Sequence, residues 1–301
     1  MTSNKILVVG SSNTDMVIKM EKLPSPGETK LGGTFLMNSG GKGANQAVAV
    51  ARLGGNLTFV TKVGKDIFGK LALDGLKKEH ISTRYVFIDE DAPSGVALIM
   101  VEEEGENCIA VAPGANAKLS TSDIKMVKNI FEAEIILMQL EIPMETIADI
   151  IKIAKSNNQK VILNPAPAQK LDTELLNGLF IITPNETEAS VLTGITVKDE
   201  VTASQAATVF LSKGVQNVII TMGPAGAYIR SETISKIVPV EPVKAIDSTA
   251  AGDVFNGALA VAISEGIPIE NAVAFANKAA AISVTRIGAQ ASIPFRNEIL
   301  N

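Results

Sequence analysis

Cysteine and histidine are almost missing from this chain, and each absence removes a class of chemistry. The single Cys108 in 301 residues rules out intrachain disulfides and cysteine-based zinc sites. The one histidine, His80, follows Lys77-Lys78-Glu79 and reads as a solvated surface residue, so a Ser-His-Asp hydrolase or a histidine-rich metal centre is excluded. Apolar runs are short and interrupted by charge, well under the length that crosses a bilayer. The apolar part of residues 1–10 is too brief for a signal peptide and reads as a first strand. A net charge of −5 offers no basic footprint for nucleic acid. There is no P-loop, because no glycine stands five residues before Gly41 and Lys42 is followed by Gly43. No Gly-x-Gly-x-x-Gly follows the first strand either, which leaves dinucleotide binding unsupported. These absences point to a soluble, cytoplasmic protein with neither a membrane nor a nucleic-acid partner.

What is present is a repeated strand–loop–helix pattern with 46% hydrophobic residues, enough for a sizeable core. Buried strands are expected at 5–10, 57–63, 134–140, 161–163, 179–183 and 218–222. Helices are expected at 44–53, 68–78, 143–155 and 202–213, then two long Ala-rich ones at 251–265 and 268–286. This alternation implies a mainly parallel central sheet flanked by helices, a three-layer α/β sandwich of Rossmann-like type, with 1–301 as a single domain. Two regions, at about 14–39 and 95–112, break the pattern. They read as strands of a small projecting β-sheet that covers a site, a partner or both, or else as surface hairpins.

Polar turns follow strand after strand: Ser11-Ser-Asn-Thr-Asp15, Gln139-Leu-Glu141, Asn164-Pro-Ala-Pro167, Thr183-Pro-Asn-Glu-Thr-Glu188 and Thr221-Met-Gly-Pro-Ala-Gly226. Each alone reads as an ordinary strand-to-helix turn. In a parallel sheet, however, the carboxyl ends of the strands share one rim, where ligands bind. Gly40-Gly-Lys-Gly-Ala-Asn45 adds backbone that a ligand can approach, with donors on Lys42 and Asn45 suited to sugar oxygens. The segment 247–260 completes the rim as a loop turning into a helix at about Ala250. Asp247, Ser248 and Thr249 are its expected capping side chains, and its first turn is a natural anion site. Asp253 inside that turn suits a base that takes a proton from a hydroxyl as a phosphoryl group arrives. A plain capped helix would also contain such an acid.

Five segments carry a resemblance over almost the whole chain: Gly40-Gly-Lys-Gly-Ala-Asn-Gln-Ala-Val-Ala49, 164–167, 184–188, 247–258 and 284–290. In order and spacing they resemble the ribokinase group of the PfkB-type sugar kinase family. That resemblance implies ATP-dependent phosphorylation of D-ribose at O5, with sibling activities on 2-deoxyribose, another sugar or a nucleoside as alternatives. A silent sugar or nucleotide sensor is the alternative of another class. It implies Asp253 as base and the N–H groups of Ala250, Ala251 and Gly252 as anion hole. Asn13, Asp15, Gly41, Lys42, Gly43, Ala44, Asn45 and Glu141 would hold the sugar. ATP would meet Asn185, Glu188, Thr221, Gly223, Gly226, Gly252 and Asn277, with Asn185-x-x-Glu188 helping to place Mg²⁺. An activating K⁺ would lie among Asp247, Thr249, Ser283, Arg286, Gly288 and Ser292, and the small sheet would act as lid and homodimer clasp. One departure stands out: the family often has glycine where this chain has Ala250, and alanine restricts positive φ.

Overall fold

The computed structural model describes residues 5–104 and 106–300. Residues 1–4 of the expected N-terminal segment, and Gly105 in the acidic turn of the second hairpin, lie outside the described residues. Strands β1 (Lys5–Val9), β2 (Asn13–Met20), β3 (Thr34–Gly40), β4 (Asn56–Gly64), β5 (Val86–Asp89), β6 (Gly95–Glu102), β7 (Asn107–Ala112), β8 (Ile135–Met138), β9 (Lys160–Leu163), β10 (Ile181–Ile182), β11 (Asn217–Thr221), β12 (Ala227–Arg230) and β13 (Ser235–Val238) form two sheets.

The main sheet runs β13-β12-β11-β10-β9-β8-β1-β4-β5. It is parallel from β11 through β5, with β12 and β13 antiparallel at one edge. β1 shows why its strands read as unbroken apolar runs. Ile6, Leu7, Val8 and Val9 are all fully buried, because both faces are covered. Leu7 and Val9 enter one core, with Ile147, Ile150 and Phe210 from the helices Met144–Ser156 and Glu200–Ser212. Ile6 and Val8 enter the other, with Val48, Leu259 and Val273 from the helices Lys42–Arg52, Ala251–Ser264 and Ile269–Ser283. The period of two thus divides the hydrophobic core between two helical layers.

Several expected bounds need correction. The helix expected from Ala44 begins at Lys42, because Gly41 at φ 87° turns the chain immediately before it. The strand expected at 179–183 is regular only over Ile181–Ile182, although backbone bonds to its two neighbours run from Leu179 to Thr183. The last long helix ends at Ser283, short of Arg286. β5, β12, β13 and the helix Glu186–Thr193 were not anticipated.

The second sheet runs β3-β2-β6-β7, two antiparallel hairpins joined by parallel pairing of β2 with β6. It projects from the rim of the main sheet, since β2 begins four residues after β1 ends. At its root Asn13, Gly40 and Gly95 lie side by side in register.

Candidate active site

Two helix N-termini meet beneath the small sheet. Gly257 lets the helix Ala251–Ser264 press against the helix Lys42–Arg52, since a Cβ at 257 would come within 2.5 Å of the Ala49 methyl. One turn earlier on each helix stand Asp253 and Asn45, so this close crossing sets them face to face. Asn45 Nδ2 donates to Asp253 Oδ2 at 2.9 Å, and Gln46 Nε2 donates to Oδ1 at 3.0 Å. Asp253 is only 6% exposed. Burial raises its pKa, against the opposing pull of Lys42, Asn45 and Gln46, while Glu141 pushes in the same direction as burial. Asn45 Oδ1 is buried with no partner, an acceptor left for a ligand hydroxyl.

β1 meets the first turn of the helix Lys42–Arg52 at equally close range. A Cβ at Gly43 would lie 2.5 Å from the Gly10 carbonyl carbon and the Ser11 nitrogen. Ala44 N–H donates to the Ser11 carbonyl at 2.8 Å, and Gly43 N–H to Ser11 Oγ at 3.3 Å. Gly43 and Ala44 therefore supply proximity, with their amides already engaged. Glu141 Oε2 accepts from the Lys42 N–H at 3.1 Å and from the Ser11 hydroxyl. Burial pulls the Lys42 ammonium down, yet the carboxylates of Asp253, Glu141, Glu188 and Asp15 outweigh it and hold its pKa above the usual value. Asp15 goes the other way. Burial first, then Glu141 and Asp253, push it up to about 6 against the pull of Lys42. Gly40 makes room for this carboxylate, since a Cβ there would lie 2.1 Å from Asp15 Oδ2.

Asn13 is fixed by Asn116, a residue outside every motif named above. Asn116, 1% exposed, accepts from Ser12 N–H at 2.9 Å and donates to the Ser12 carbonyl at 3.2 Å and to Asn13 Oδ1 at 2.7 Å. With Asn13 Oδ1 occupied, its Nδ2 is the group free to face the cleft. A cavity of about 530 Å³ opens there, lined by Asn13, Asn116 and Glu141 with apolar walls from Val111, Ile142 and Met144.

On the opposite side the strand ends form a second patch. Asn185 and Glu188 cap the helix Glu186–Thr193 reciprocally, with bonds of 2.9 and 2.8 Å. Glu188 also faces Lys42 and Asp253, and burial raises its pKa against the pull of the Asn185 amide and Lys42. Asn185 bridges to Thr221, whose N–H donates to the Pro184 carbonyl at 3.0 Å. Gly223 and Gly226 adopt φ of 50° and 94°, and Gly226 packs on the Val238 carbonyl with no space for a side chain. Asn277 donates to that same carbonyl at 2.9 Å. Thr221, Gly223, Gly226 and Asn277 thus belong to one surface. Among the described residues no group of three or more His, Cys, Asp or Glu is placed to hold a metal ion. A divalent cation here would draw most of its ligands from phosphate oxygens and water, consistent with the single carboxylate of Glu188.

The loop before Asp253 differs from expectation. The N-cap is Ala250, at φ 61° and ψ 9°, and no side chain caps the helix. Asp247 is turned away: it accepts from Thr249 N–H at 2.9 Å and Thr249 Oγ1 at 2.6 Å, and from Gly288 N–H at 2.8 Å. Burial pushes its carboxyl up, but these donors outweigh burial and hold it below the ordinary range. Ala251 N–H donates to the Ser248 carbonyl at 3.2 Å, while Gly252 N–H has no acceptor among the described residues. The first turn is consequently open to an anion. Asp247, Thr249 and Gly288 are joined directly. Ser283 and Arg286 precede Gly288, Arg286 N–H bonding the Ser283 carbonyl, and buried Ser292 follows with its hydroxyl on the Ala289 carbonyl. The donor set is oxygen-rich with one carboxylate, which fits a large monovalent cation.

Gln46, Gln139, Asn164, Thr183 and Asn256, all buried, have no role that their residue types alone would assign. Four of the five sit at strand ends on the shared rim or beside Asn45, the one signal that marked them.

Residues 3–296 match the model of the pfkB family carbohydrate kinases. The chain is 45% identical to the ribokinase of Haemophilus influenzae over 98% of its own length and 97% of that protein. The structure of a ribokinase from Thermotoga maritima superposes with a TM-score of 0.89 at 43% identity, covering 99% of this chain and 98% of the other. That of an Arabidopsis thaliana ribokinase, complexed with ribose and ATP, gives 0.90 at 34% identity over 100% and 98% of the two chains.

Proposed function

This chain belongs to the pfkB family of carbohydrate kinases, and from that premise we propose that it transfers the terminal phosphoryl group of ATP to O5 of D-ribose. The observation that carries the reading is Asp253, buried at an open helix N-terminus and held by Asn45 and Gln46. Asn13, Asp15, Lys42, Asn45 and Glu141 hold the sugar, with carboxylates accepting from hydroxyls and Lys42, Asn13 and Asn45 supplying complementary groups. Asp253 takes the O5 proton as the O5–phosphorus bond forms and the bond to the ADP oxygen breaks. A loose transition state needs little early deprotonation, so holding O5 in line matters more than basicity. The Gly252 amide, with Ala250 and Ala251 shaping its turn, stabilises the transferring charge. Thr221, Gly223, Gly226, Asn185 and Asn277 form the nucleotide side.

Mg²⁺, positioned beside Glu188 through water, would neutralise phosphate charge. K⁺ held by Asp247, Thr249, Ser283, Arg286, Gly288 and Ser292 would tie the 247–249 loop to the 286–288 loop and so fix the anion-binding turn. The small sheet acts as lid and, through its apolar face, as clasp of a homodimer. Phe35, Met37 and Leu98 are about half exposed there, at 59%, 47% and 55%. Among the described residues no helix is long and apolar enough to cross a membrane, and the reaction suits the ATP-rich cytoplasm.

A coupled ADP-release assay over a sugar panel, with and without potassium, tests the reading. Turnover is expected to be highest with D-ribose and to fall in sodium. Turnover confined to 2-deoxyribose, fructose or a nucleoside would move the substrate, and binding without any turnover would leave a sensor.

A further inference from the structure

Beneath Asp253 a circuit of buried amides runs through five elements of the fold. Gln46 Nε2 donates both to Asp253 Oδ1 and to Asn164 Oδ1, at 3.0 and 3.2 Å, and Gln46 Oε1 accepts from Gln139 Nε2 at 2.6 Å. Asn164 Nδ2 donates to the Thr183 carbonyl at 3.1 Å. Thr183 Oγ1 donates to Asn256 Oδ1 at 2.6 Å, and Asn256 Nδ2 donates to the Gly252 carbonyl at 2.8 Å. The circuit therefore starts at the Asp253 carboxylate and closes on the peptide immediately before it.

The direction of every bond is dictated by its ends. A carboxylate and a backbone carbonyl can only accept. Asn164 must turn its NH₂ to the Thr183 carbonyl and its oxygen to Gln46, and Gln46 must turn its NH₂ to Asp253. A reversed Gln46 would set its oxygen against two acceptors. Gln46 is fully buried, with both of its N–H donors and its oxygen engaged by these three partners. Asp253 Oδ1 is thereby committed to the interior, while Oδ2 lies on the side of Asn45, whose own Oδ1 is the unpaired acceptor of the cleft.

We propose that Gln46, held in place by Gln139 and Asn164, is a positioning residue that turns Asp253 Oδ1 inward and leaves Oδ2 as the proton-accepting oxygen. This rests on the reading of Asp253 as the base. The Gln46 side chain lies under the carboxylate and hydrogen-bonds Asp253, Asn164 and Gln139 but none of the side chains assigned to hold the sugar, so its loss affects turnover more than sugar affinity. The donor also favours the ionised carboxylate, alongside Lys42 and against Glu141, Asp15 and Glu188, the charged groups that face Asp253.

The test compares wild type with Gln46→Met, Gln139→Met and Asp253→Asn as purified proteins, using kcat, the KM for ribose and the pH dependence of kcat. Gln46→Met is expected to lower kcat at pH 7 about tenfold or more and to move the acid limb up by about one pH unit. Its KM for ribose should stay within about threefold of wild type. Gln139→Met, two bonds from the carboxylate, should shift the limb in the same direction by less, and serves as the probe if Gln46→Met does not fold. An unmoved acid limb in whichever variant melts cooperatively, or a loss confined to KM, overturns the positioning role. Asp253→Asn separates the two readings. Near-wild-type turnover there removes the base itself, whereas an inactive Asp253→Asn beside an unaltered Gln46→Met profile removes only the role of Gln46.

Discussion

Asp15 makes the proposed sugar site costly to keep folded, and the cost can be measured. Its carboxyl is raised from 3.8 to about 6, first by burial and then by Glu141 and Asp253. A carboxyl raised on folding contributes stability that is complete below its unfolded value and is lost as pH rises through the folded one. Above about pH 6, then, the ionised side chain opposes folding. The shift of about two units corresponds to about 3 kcal/mol at pH 8. At pH 4.5 the folded group is largely protonated while the unfolded one is largely ionised, and the penalty falls to about 1 kcal/mol. Asp15→Asn removes the charge while keeping the shape that Gly40 accommodates. For a chain of this length the unfolding entropy converts about 3 kcal/mol into about 5 °C of Tm. Thermal unfolding followed by circular dichroism without sugar should show the variant melting about 5 °C higher at pH 8, the gap shrinking to about a third at pH 4.5. The same substitution should raise the KM for ribose, because a carboxylate acceptor for hydroxyls has been lost. Equal melting temperatures at pH 8, or a gap of the same size at both pH values, would refute the reasoning.

Replacing Ala250 with glycine should relieve the left-handed backbone at φ 61° and stabilise the protein by about 1 kcal/mol, with turnover equal to or above wild type in the ADP-release assay. Asn116→Ala frees Asn13 Oδ1 and should raise the KM for ribose about tenfold with kcat within about threefold, read from steady-state kinetics. Asp247→Ala should abolish the difference between potassium and sodium in the same assay, and retained potassium activation would discard the proposed cage. If the small sheet clasps a homodimer as proposed, the wild type should sediment as a dimer and Phe35→Asp, on its exposed face, as a monomer in sedimentation velocity.

The parts of this molecule that could be read from sequence are those whose physics is local or periodic. β1 and β8 are covered on both faces, so each is an unbroken apolar run, and helices between such runs leave few choices but a parallel sheet. β12 and β13 escaped because an edge hairpin holding Arg230 and Lys236 has no such signature. β10 is regular over two residues only, yet its backbone bonds span the Leu179–Thr183 run that the apolar pattern marked. The charged groups of the site were visible because Lys42, Glu141 and Asp253 occupy a glycine-bracketed turn, a strand end and a helix N-terminus. The amides that orient them were not: Gln46 meets Asp253, Asn164 and Gln139 across separations of 207, 118 and 93 residues. An asparagine or glutamine at a strand end is also what any turn would use. Ala250 shows the limit from the other side. Its methyl suggested a turn without positive φ, yet the chain adopts φ 61° there because Asp247 is bound to Thr249 and Gly288, and Ile246 N–H to the Val284 carbonyl. With the loop anchored just before the turn and the helix Ala251–Ser264 just after it, one strained residue of about 1 kcal/mol costs less than releasing those bonds. Tertiary anchoring therefore overrides the local preference at the turn where the transferring charge would be stabilised.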